Sequence, residues 1–443
     1  MGVALTDEMV RCAFVTLGCA KNEVDTDRMR SLLLHAGALE TDDVDEADCV
    51  IVNTCSFLVA ATEESLQVTL EIAESVREGV RRRPIIMCGC VPSRYGDELA
   101  SELPEVAAFV PADREDEIVE VVERVVGVTL ARDLPEVART VEAAHAFVKI
   151  SDGCDRFCTF CAIPYIRGAY RSRPAEEILA EVTSLIEGGV REVVLIGQDT
   201  GVWGQDLPGS RDLAWLLREV ASVAEPYGCW VRVLYLQPEG MTDDLIEVLA
   251  SGGAVLPYID IPIQHCSATV LERMGRSGSA EELRELFARL RREIEGVVIR
   301  TTAMAGFPGE TDEEADELVS FVAEEGFDYT SVFTYSAEEG TVAATMEPQV
   351  AEDVALERTQ ALIDVSEAAG FAATASHVGE EVDVIIDGVE ETDDGVELIG
   401  HAWFQAPDSD GAVHIEEGEA AVGDIVRVRL TDSFCYELVG VVV

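Results

Sequence analysis

Three thiols crowd together near the middle of this 443-residue chain, at the end of the run Lys149-Ile-Ser-Asp-Gly-Cys-Asp-Arg-Phe-Cys-Thr-Phe-Cys161. Cys154, Cys158 and Cys161 are spaced C-x3-C-x2-C. Three thiolates on one short loop can each take one iron of a 4Fe–4S cube and leave the fourth iron without a protein ligand. Such an iron is open to chelation by a small molecule with an amine and a carboxylate. S-adenosylmethionine is one, and a single electron from the cube can cleave its C5′–S bond. A zinc site would usually close with four ligands, and no fourth Cys or His lies nearby. A disulfide scheme fails because three is odd and nothing marks the chain as secreted.

A second set is spread more widely. Cys19, Cys55 and Cys90 lie 36 and 35 residues apart, each just beyond a short apolar run. Those runs, Ala13–Leu17, Cys49–Asn53 and Pro84–Met87, read as strands. Helix patterns follow from about Glu23 to Ala36, with Gly37 as a cap, and through Leu66, Leu70 and Ala73. Weaker signals run from Ala107 to Val126. A βα repeat of this kind predicts a parallel, doubly wound sheet, whose strands deliver their C-terminal ends to one edge. Three thiols would meet there and form a second three-thiolate site. Ordinary buried core thiols are the alternative, and that is the reading for Cys12, Cys49 and Cys88.

From Ala146 six further βα units are expected, with strands at Ala146–Ile150, Glu192–Ile196, Trp230–Leu236, Tyr258–Ile263, Val297–Met304 and Thr330–Tyr335. Helix patterns lie near 175–188, 211–223, 242–250, 280–293, 311–325 and 351–370. Six units predict a partial, open (β/α)6 barrel, with the cysteine loop after its first strand. Chemistry in such barrels sits at the C-terminal face, so polar residues there are candidate cofactor contacts: Gln198 and Asp199, Arg232, Gln264 and His265, Arg300, and Gly306 and Gly309, whose backbone could approach an adenosine. Each has a solvated loop residue or a helix cap as its alternative. His265 is the candidate proton carrier. Arg156, Arg167, Arg171 and Arg173 gather around the cysteine loop in sequence and suit a carboxylate or the charge of a cluster.

Beyond about Glu380, short alternating strands at Val382–Ile386, Val396–Ile399, Val413–Ile415, Ile425–Leu430 and Tyr436–Val443 predict a small closed barrel of the oligonucleotide-binding kind. Three domains follow, over 1–135, 140–375 and 376–443. The chain carries 86 acidic against 32 basic residues, a net charge of −54. Such a surface repels nucleic acid and attracts a basic partner; general acidity of the proteome is the other explanation. The last domain has 17 acidic residues and only Arg427 and Arg429, where an RNA-reading barrel should be basic. No apolar run is long enough to span a bilayer and no signal peptide is visible, so a cytoplasmic protein without membrane attachment is expected.

Together these residues resemble the methylthiotransferase family, over nearly the whole chain. The matching stretches are Thr16-Leu-Gly-Cys19-Ala-Lys-Asn22, Val52-Asn-Thr-Cys55, Gly89-Cys90 and Gly153-Cys154-Asp-Arg-Phe-Cys158-Thr-Phe-Cys161-Ala-Ile-Pro164. The resemblance implies a cluster domain, a radical S-adenosylmethionine barrel and a C-terminal TRAM barrel. Ile196-Gly-Gln-Asp-Thr200, Leu236-Gln-Pro-Glu-Gly240, Pro257–His265 and Phe333–Gly340 look closer to the branch that modifies an aspartate of ribosomal protein S twelve than to the branch that modifies tRNA adenosine. Ala20 and Gln237 depart from that branch, where Pro and Tyr are common. The resemblance implies two 4Fe–4S clusters and two S-adenosylmethionine molecules. The cluster at Cys154, Cys158 and Cys161 generates a 5′-deoxyadenosyl radical that takes hydrogen from the aspartate β-carbon. The cluster at Cys19, Cys55 and Cys90 carries the sulfur that is methylated and joined to that carbon. An external electron donor and a sulfur source would be needed. A tRNA methylthiotransferase and a non-catalytic iron–sulfur redox protein are the competing readings.

Overall fold

The computed structural model describes residues 9–78, 83–130, 139, 141, 143–392 and 395–443. It separates into two units: Met1–Thr140 with Ala162–Ala169, and Val141–Cys161 with Tyr170–Val443.

In the first unit β1 (Arg11–Thr16), α1 (Ala20–His35), β2 (Leu39–Glu40), β3 (Cys49–Thr54), α2 (Val59–Glu78), β4 (Ile85–Gly89), α3 (Cys90–Tyr95) and β5 (Val106–Pro111) build a five-stranded parallel sheet in the order β2-β1-β3-β4-β5. Strand residues alternate between two cores. Cys12, Cys49, Ile51, Ile86 and Cys88 face one; Ala13, Val50, Val52, Ile85 and Met87 face the other. Cys12, Cys49 and Cys88 are core thiols, as expected. α1 begins at Ala20, earlier than the apolar spacing predicts, because Cys19 is its extended N-cap residue. The buried residues of this first stretch are mostly polar (Lys21, Asn22, Asp25, Thr26, Asp27), with Val24 among them, and give little apolar signal.

The second unit opens with six parallel strands: β6 (His145–Lys149), β7 (Glu192–Ile196), β8 (Trp230–Val233), β9 (Tyr258–Asp260), β10 (Val298–Ala305) and β11 (Tyr329–Thr334). They form the ladders β6-β7-β8 and β9-β10-β11. The Leu236 N–H to Asp260 C=O bond (3.0 Å) and a bridge between Val231 and Val255 join the two. The helices α4 (Ala175–Glu187), α5 (Leu213–Ala224), α6 (Asp243–Ala250), α7 (Ala280–Glu293), α8 (Asp312–Glu325) and α9 (Glu352–Ser376) alternate with the strands or follow them. Side chains of Asp212, Thr242, Ser279 and Thr311 cap α5 to α8, and Thr311 and Glu314 form a full capping box. β8 and β9 stop earlier than expected. Tyr235 (φ 63°) takes left-handed backbone just after β8, which breaks the extended run there; Gln264 (φ 65°) does so beyond the expected end of β9.

The chain ends in a closed barrel of β12 (Glu381–Thr392), β13 (Gly395–Ala402), β14 (Val413–Glu417), β15 (Ile425–Phe434) and β16 (Glu437–Val442), in the order β12-β13-β14-β16-β15. Charged groups fasten it to the N-terminal ends of the six parallel strands. Asp408 meets His145 (3.1 Å), and Asp387 contacts both His145 (3.5 Å) and His401 (2.6 Å). His401 reaches Glu192 (2.8 Å), and Glu192 pairs with Arg232 (2.6 Å), both without exposed surface. Arg232 lies over the Tyr258 ring (4.4 Å), whose hydroxyl donates to Asp410 (2.6 Å); Asp410 also binds Arg300.

Burial alone would raise Glu192, but Arg232 and His401 pull it down to about 2. Burial would lower His145, but Asp387 and Asp408 lift it to about 10. The His145 contribution is therefore complete below its ordinary 6.5 and is lost as pH rises through about 10. His145→Gln should cost roughly 1–3 kcal/mol at pH 7 and should flatten the fall in stability between pH 7 and 10. Urea denaturation across that range measures both; slopes equal to the parent's would remove His145 from the joint.

Candidate metal centres

In the second unit the cysteine loop leaves β6 through Ser151–Asp152, which pairs antiparallel with Arg171–Ser172. Gly153 (φ 77°) and Phe157 (φ 49°) turn the chain ahead of Cys154 and Cys158. Thr159 clamps the loop: its N–H donates to Met274 C=O (2.9 Å), its hydroxyl to Arg273 C=O (2.9 Å), and its carbonyl accepts from Ala343 N–H (2.8 Å). Phe160 packs edge-on against Phe307 beside Val270, Leu271 and Met274. The three thiols are half-buried. Burial pushes Cys158 up, while the Arg276 and Arg156 guanidinium groups pull it down. Iron takes thiolates, so these two cations favour ligation. Arg156 is held by Asp199 and by Glu239 (3.1 Å), and Arg276 donates to the Gln237 side chain. Arg276 sits on the turn after a short helix, where no periodicity points to it; its place beside Cys158 comes from the fold.

Several expected contacts converge on this end of the strands. Gln198 and Asp199 follow β7 directly. Gln198 Oε1, Asp199 Oδ1 and the Tyr335 hydroxyl are buried without a hydrogen-bond partner. Each orphan of this kind costs about 1–3 kcal/mol until something polar meets it. Three thiols beside such atoms fit a cluster with a polar, chelating cofactor. Gln264 presents its backbone to β10, between Thr302 C=O (2.8 Å) and Met304 N–H (2.7 Å). His265 has no exposed surface. Its Nδ1 accepts from Ser267 N–H (3.0 Å), so the ring proton sits on Nε2, which faces Glu310 at 3.6 Å.

Other expectations need correcting. Arg232 and Arg300 do not face the cysteine end; they lie low on β8 and β10 and hold the C-terminal barrel. Gly306 is required by packing, since a Cβ there would meet Ala355 Cβ at 2.5 Å, and its N–H is taken by the Glu310 carboxylate. Gly309 keeps a left-handed turn (φ 76°) whose N–H donates to Pro348 C=O (2.8 Å). The four arginines disperse: only Arg156 stays beside the thiols, Arg173 binds Lys149 C=O and Glu181, Arg171 is exposed, and Arg167 belongs to the first unit.

In the first unit Cys19, Cys55 and Cys90 follow β1, β3 and β4 and act electrostatically on one another. Burial pushes Cys55 up to about 11, with Cys19 and Cys90 adding to it and Arg167 opposing. Asn22 is fully buried. Its amide donates to Thr54 C=O (2.8 Å), and its side-chain oxygen accepts from the Cys19 thiol (3.4 Å). Gly18 (φ 102°) leaves no room for a side chain: a Cβ would lie 2.4 Å from Cys55 Cβ. Among the described residues no three His, Cys, Asp or Glu side chains converge as on a single ion; a cube takes one thiolate per iron.

Residues 11–111 match Uncharacterized protein family UPF0004, 148–322 the Radical SAM superfamily and 378–443 the TRAM domain. The chain is 42% identical over 450 aligned positions, 98% of both chains, to "Ribosomal protein uS12 methylthiotransferase RimO" of Geobacter sulfurreducens. The protein of that name from Trichlorobacter lovleyi is 41% identical, with 97% of each chain covered. The chain belongs to the uS12 methylthiotransferase family. Membership brings 4Fe–4S clusters and S-adenosylmethionine as cofactors. The fold is shared with the radical S-adenosylmethionine methyltransferase TsrM of Kitasatospora setae, at a TM-score of 0.58 and 14% identity over 82% of this chain and 89% of that one.

Two substitutions test these placements. Gly18→Ala should roughly halve the iron bound after anaerobic reconstitution, by disabling the first-unit site alone; full iron content would show that the backbone tolerates the change. Arg232→Gln should cost about 3 kcal/mol of stability by leaving buried Glu192 with His401 as its one counter-charge. It should leave the S-adenosylmethionine affinity of the folded protein unchanged, and calorimetric titration would expose any direct contact.

Proposed function

We propose that this chain is a radical S-adenosylmethionine methylthiotransferase that puts a methylthio group on the β-carbon of an aspartate of ribosomal protein S twelve (uS12). The observation that carries the reading is two separate three-thiol sets, each at the C-terminal edge of a parallel sheet, in a chain about 40% identical end to end to proteins named for that activity. When bound, the clusters and S-adenosylmethionine supply a carbon-centred radical at one site and a transferable sulfur at the other. Cys154, Cys158 and Cys161 hold the cluster of the second unit. Gln198 and Asp199 offer unsatisfied polar atoms to the cofactor, and the neighbouring apolar cluster of Phe160 and Phe307 limits water. Cys19, Cys55 and Cys90 hold the cluster of the first unit. The division of labour follows the expected domains: 1–135 for sulfur, 140–375 for the radical and 376–443 for the partner.

Charge supports a basic protein substrate over tRNA. The chain carries 86 acidic against 32 basic residues, which disfavours a polyphosphate and favours a cationic surface. An external electron donor and an external sulfur source complete the cycle, and the cytoplasm is the compartment that a ribosomal substrate implies. The described helices include none long and apolar enough to cross a membrane.

Anaerobic turnover with a peptide from the substrate loop and unmodified tRNA, followed by mass spectrometry, tests the reading. A methylthio gain on aspartate alone is expected; a gain on adenosine would transfer the protein to the tRNA branch. Cys158→Ala should abolish 5′-deoxyadenosine formation. Cys55→Ala should retain it and lose the methylthio product.

A further inference from the structure

Arg167 follows Cys161 by six residues in sequence, yet it folds into the first unit with the segment Ala162–Ala169. Ala162 and Ile166 of that segment pack on Cys90. The Arg167 side chain is 2% exposed and pairs with Asp25 of α1 (2.9 Å), which is equally buried. Its charge pulls the Cys90 thiol down against burial and opposes the rise of Cys55. A buried cation in the segment packed on Cys90, whose charge also reaches Cys55, is placed where cluster charge would collect. The general acidity of the chain does not explain it, because Arg167 is away from the surface.

We infer that Arg167 is a positioning residue for the first-unit centre, and that the Asp25–Arg167 pair sets the reduction potential of a cluster held by Cys19, Cys55 and Cys90. This rests on the two-cluster reading above. A cube with three thiolates gains negative charge on reduction, and a nearby cation favours the more negative form; hydrogen bonds to the ligand sulfurs act in the same direction. Asp25 tempers the effect by offsetting part of the arginine charge. The segment that starts at the last ligand of one centre therefore supplies the counter-charge of the other.

The test uses the full chain with Cys154, Cys158 and Cys161 all replaced by Ala, so that only the first-unit cluster is read. After anaerobic reconstitution, its midpoint potential is measured by titration followed with electron paramagnetic resonance. Arg167→Gln should shift the potential negative, and Arg167→Lys should bring it part of the way back. Asp25→Asn should shift it positive, because the arginine is then uncompensated. Opposite shifts from the two halves of one ion pair are not what a loss of packing produces. Where Arg167→Gln loses the cluster altogether, the sign of the Asp25→Asn shift decides. Unchanged potentials and spectra in Arg167→Gln, or no shift in Asp25→Asn, would overturn the inference. Absence of any cluster in the triple-alanine parent would overturn the two-cluster reading itself.

Discussion

Parallel strands that alternate with helices must all finish at the same edge, and this constraint orders both units. A thiol placed one residue past a strand end, as Cys55 and Cys90 are, or three past it, as Cys19 is, is delivered to the edge by the fold. In the first unit three separate strands each contribute one thiol. In the second, a single loop contributes three, and the remaining strand ends contribute the polar atoms around them. The opposite edge is then free for a different task. There the strands begin, and charged side chains near their starts bind the C-terminal barrel.

The two edges are stabilised in different ways. At the cysteine edge buried polar atoms of Gln198, Asp199 and Tyr335 have no partners, and burial raises the Cys55 and Cys158 thiols. The other edge is densely paired, and buried charges there survive because each has a counter-charge. Glu192 touches both Arg232 and His401, and Arg300 touches both Asp410 and Ser331. At the barrel edge the buried charges meet counter-charges from the chain itself; at the cysteine edge the buried polar atoms Gln198 Oε1 and Asp199 Oδ1 lie beside the three thiols.

Much of this was legible in the sequence. Apolar runs of strand length, each followed by a helix pattern, placed most elements within a few residues. The cysteines stood out because they recur at strand ends. The misreadings share one physical origin, which is that the deciding partner is remote in sequence. Arg232 and Arg300 looked like face residues because their partners, Glu192 and Asp410, lie 40 and 110 positions away and leave no local pattern. Gly306 looked like an approach to a ligand because Ala355, which it admits, sits on a later helix. Arg167 looked like part of the radical loop because chain proximity was the only guide. The early start of α1 was missed for a different reason: apart from Val24 its first buried residues, Lys21, Asn22, Asp25, Thr26 and Asp27, are polar, and hydrophobic periodicity does not register them.

The joint beneath the six strands also fixes an order of events during synthesis. Glu192 and Arg232 emerge early and can pair as soon as β7 and β8 align. His145 emerges earlier still, but both of its carboxylate partners, Asp387 and Asp408, belong to the last barrel. Tyr258 and Arg300 likewise wait for Asp410. Until about the last forty residues have left the ribosome's exit tunnel, the lower side of the radical domain is a patch of charges without their counterparts. The final barrel is thus the closing piece of the domain that precedes it, and a chain cut short before Asp408 would keep its thiols in place over an unfinished base.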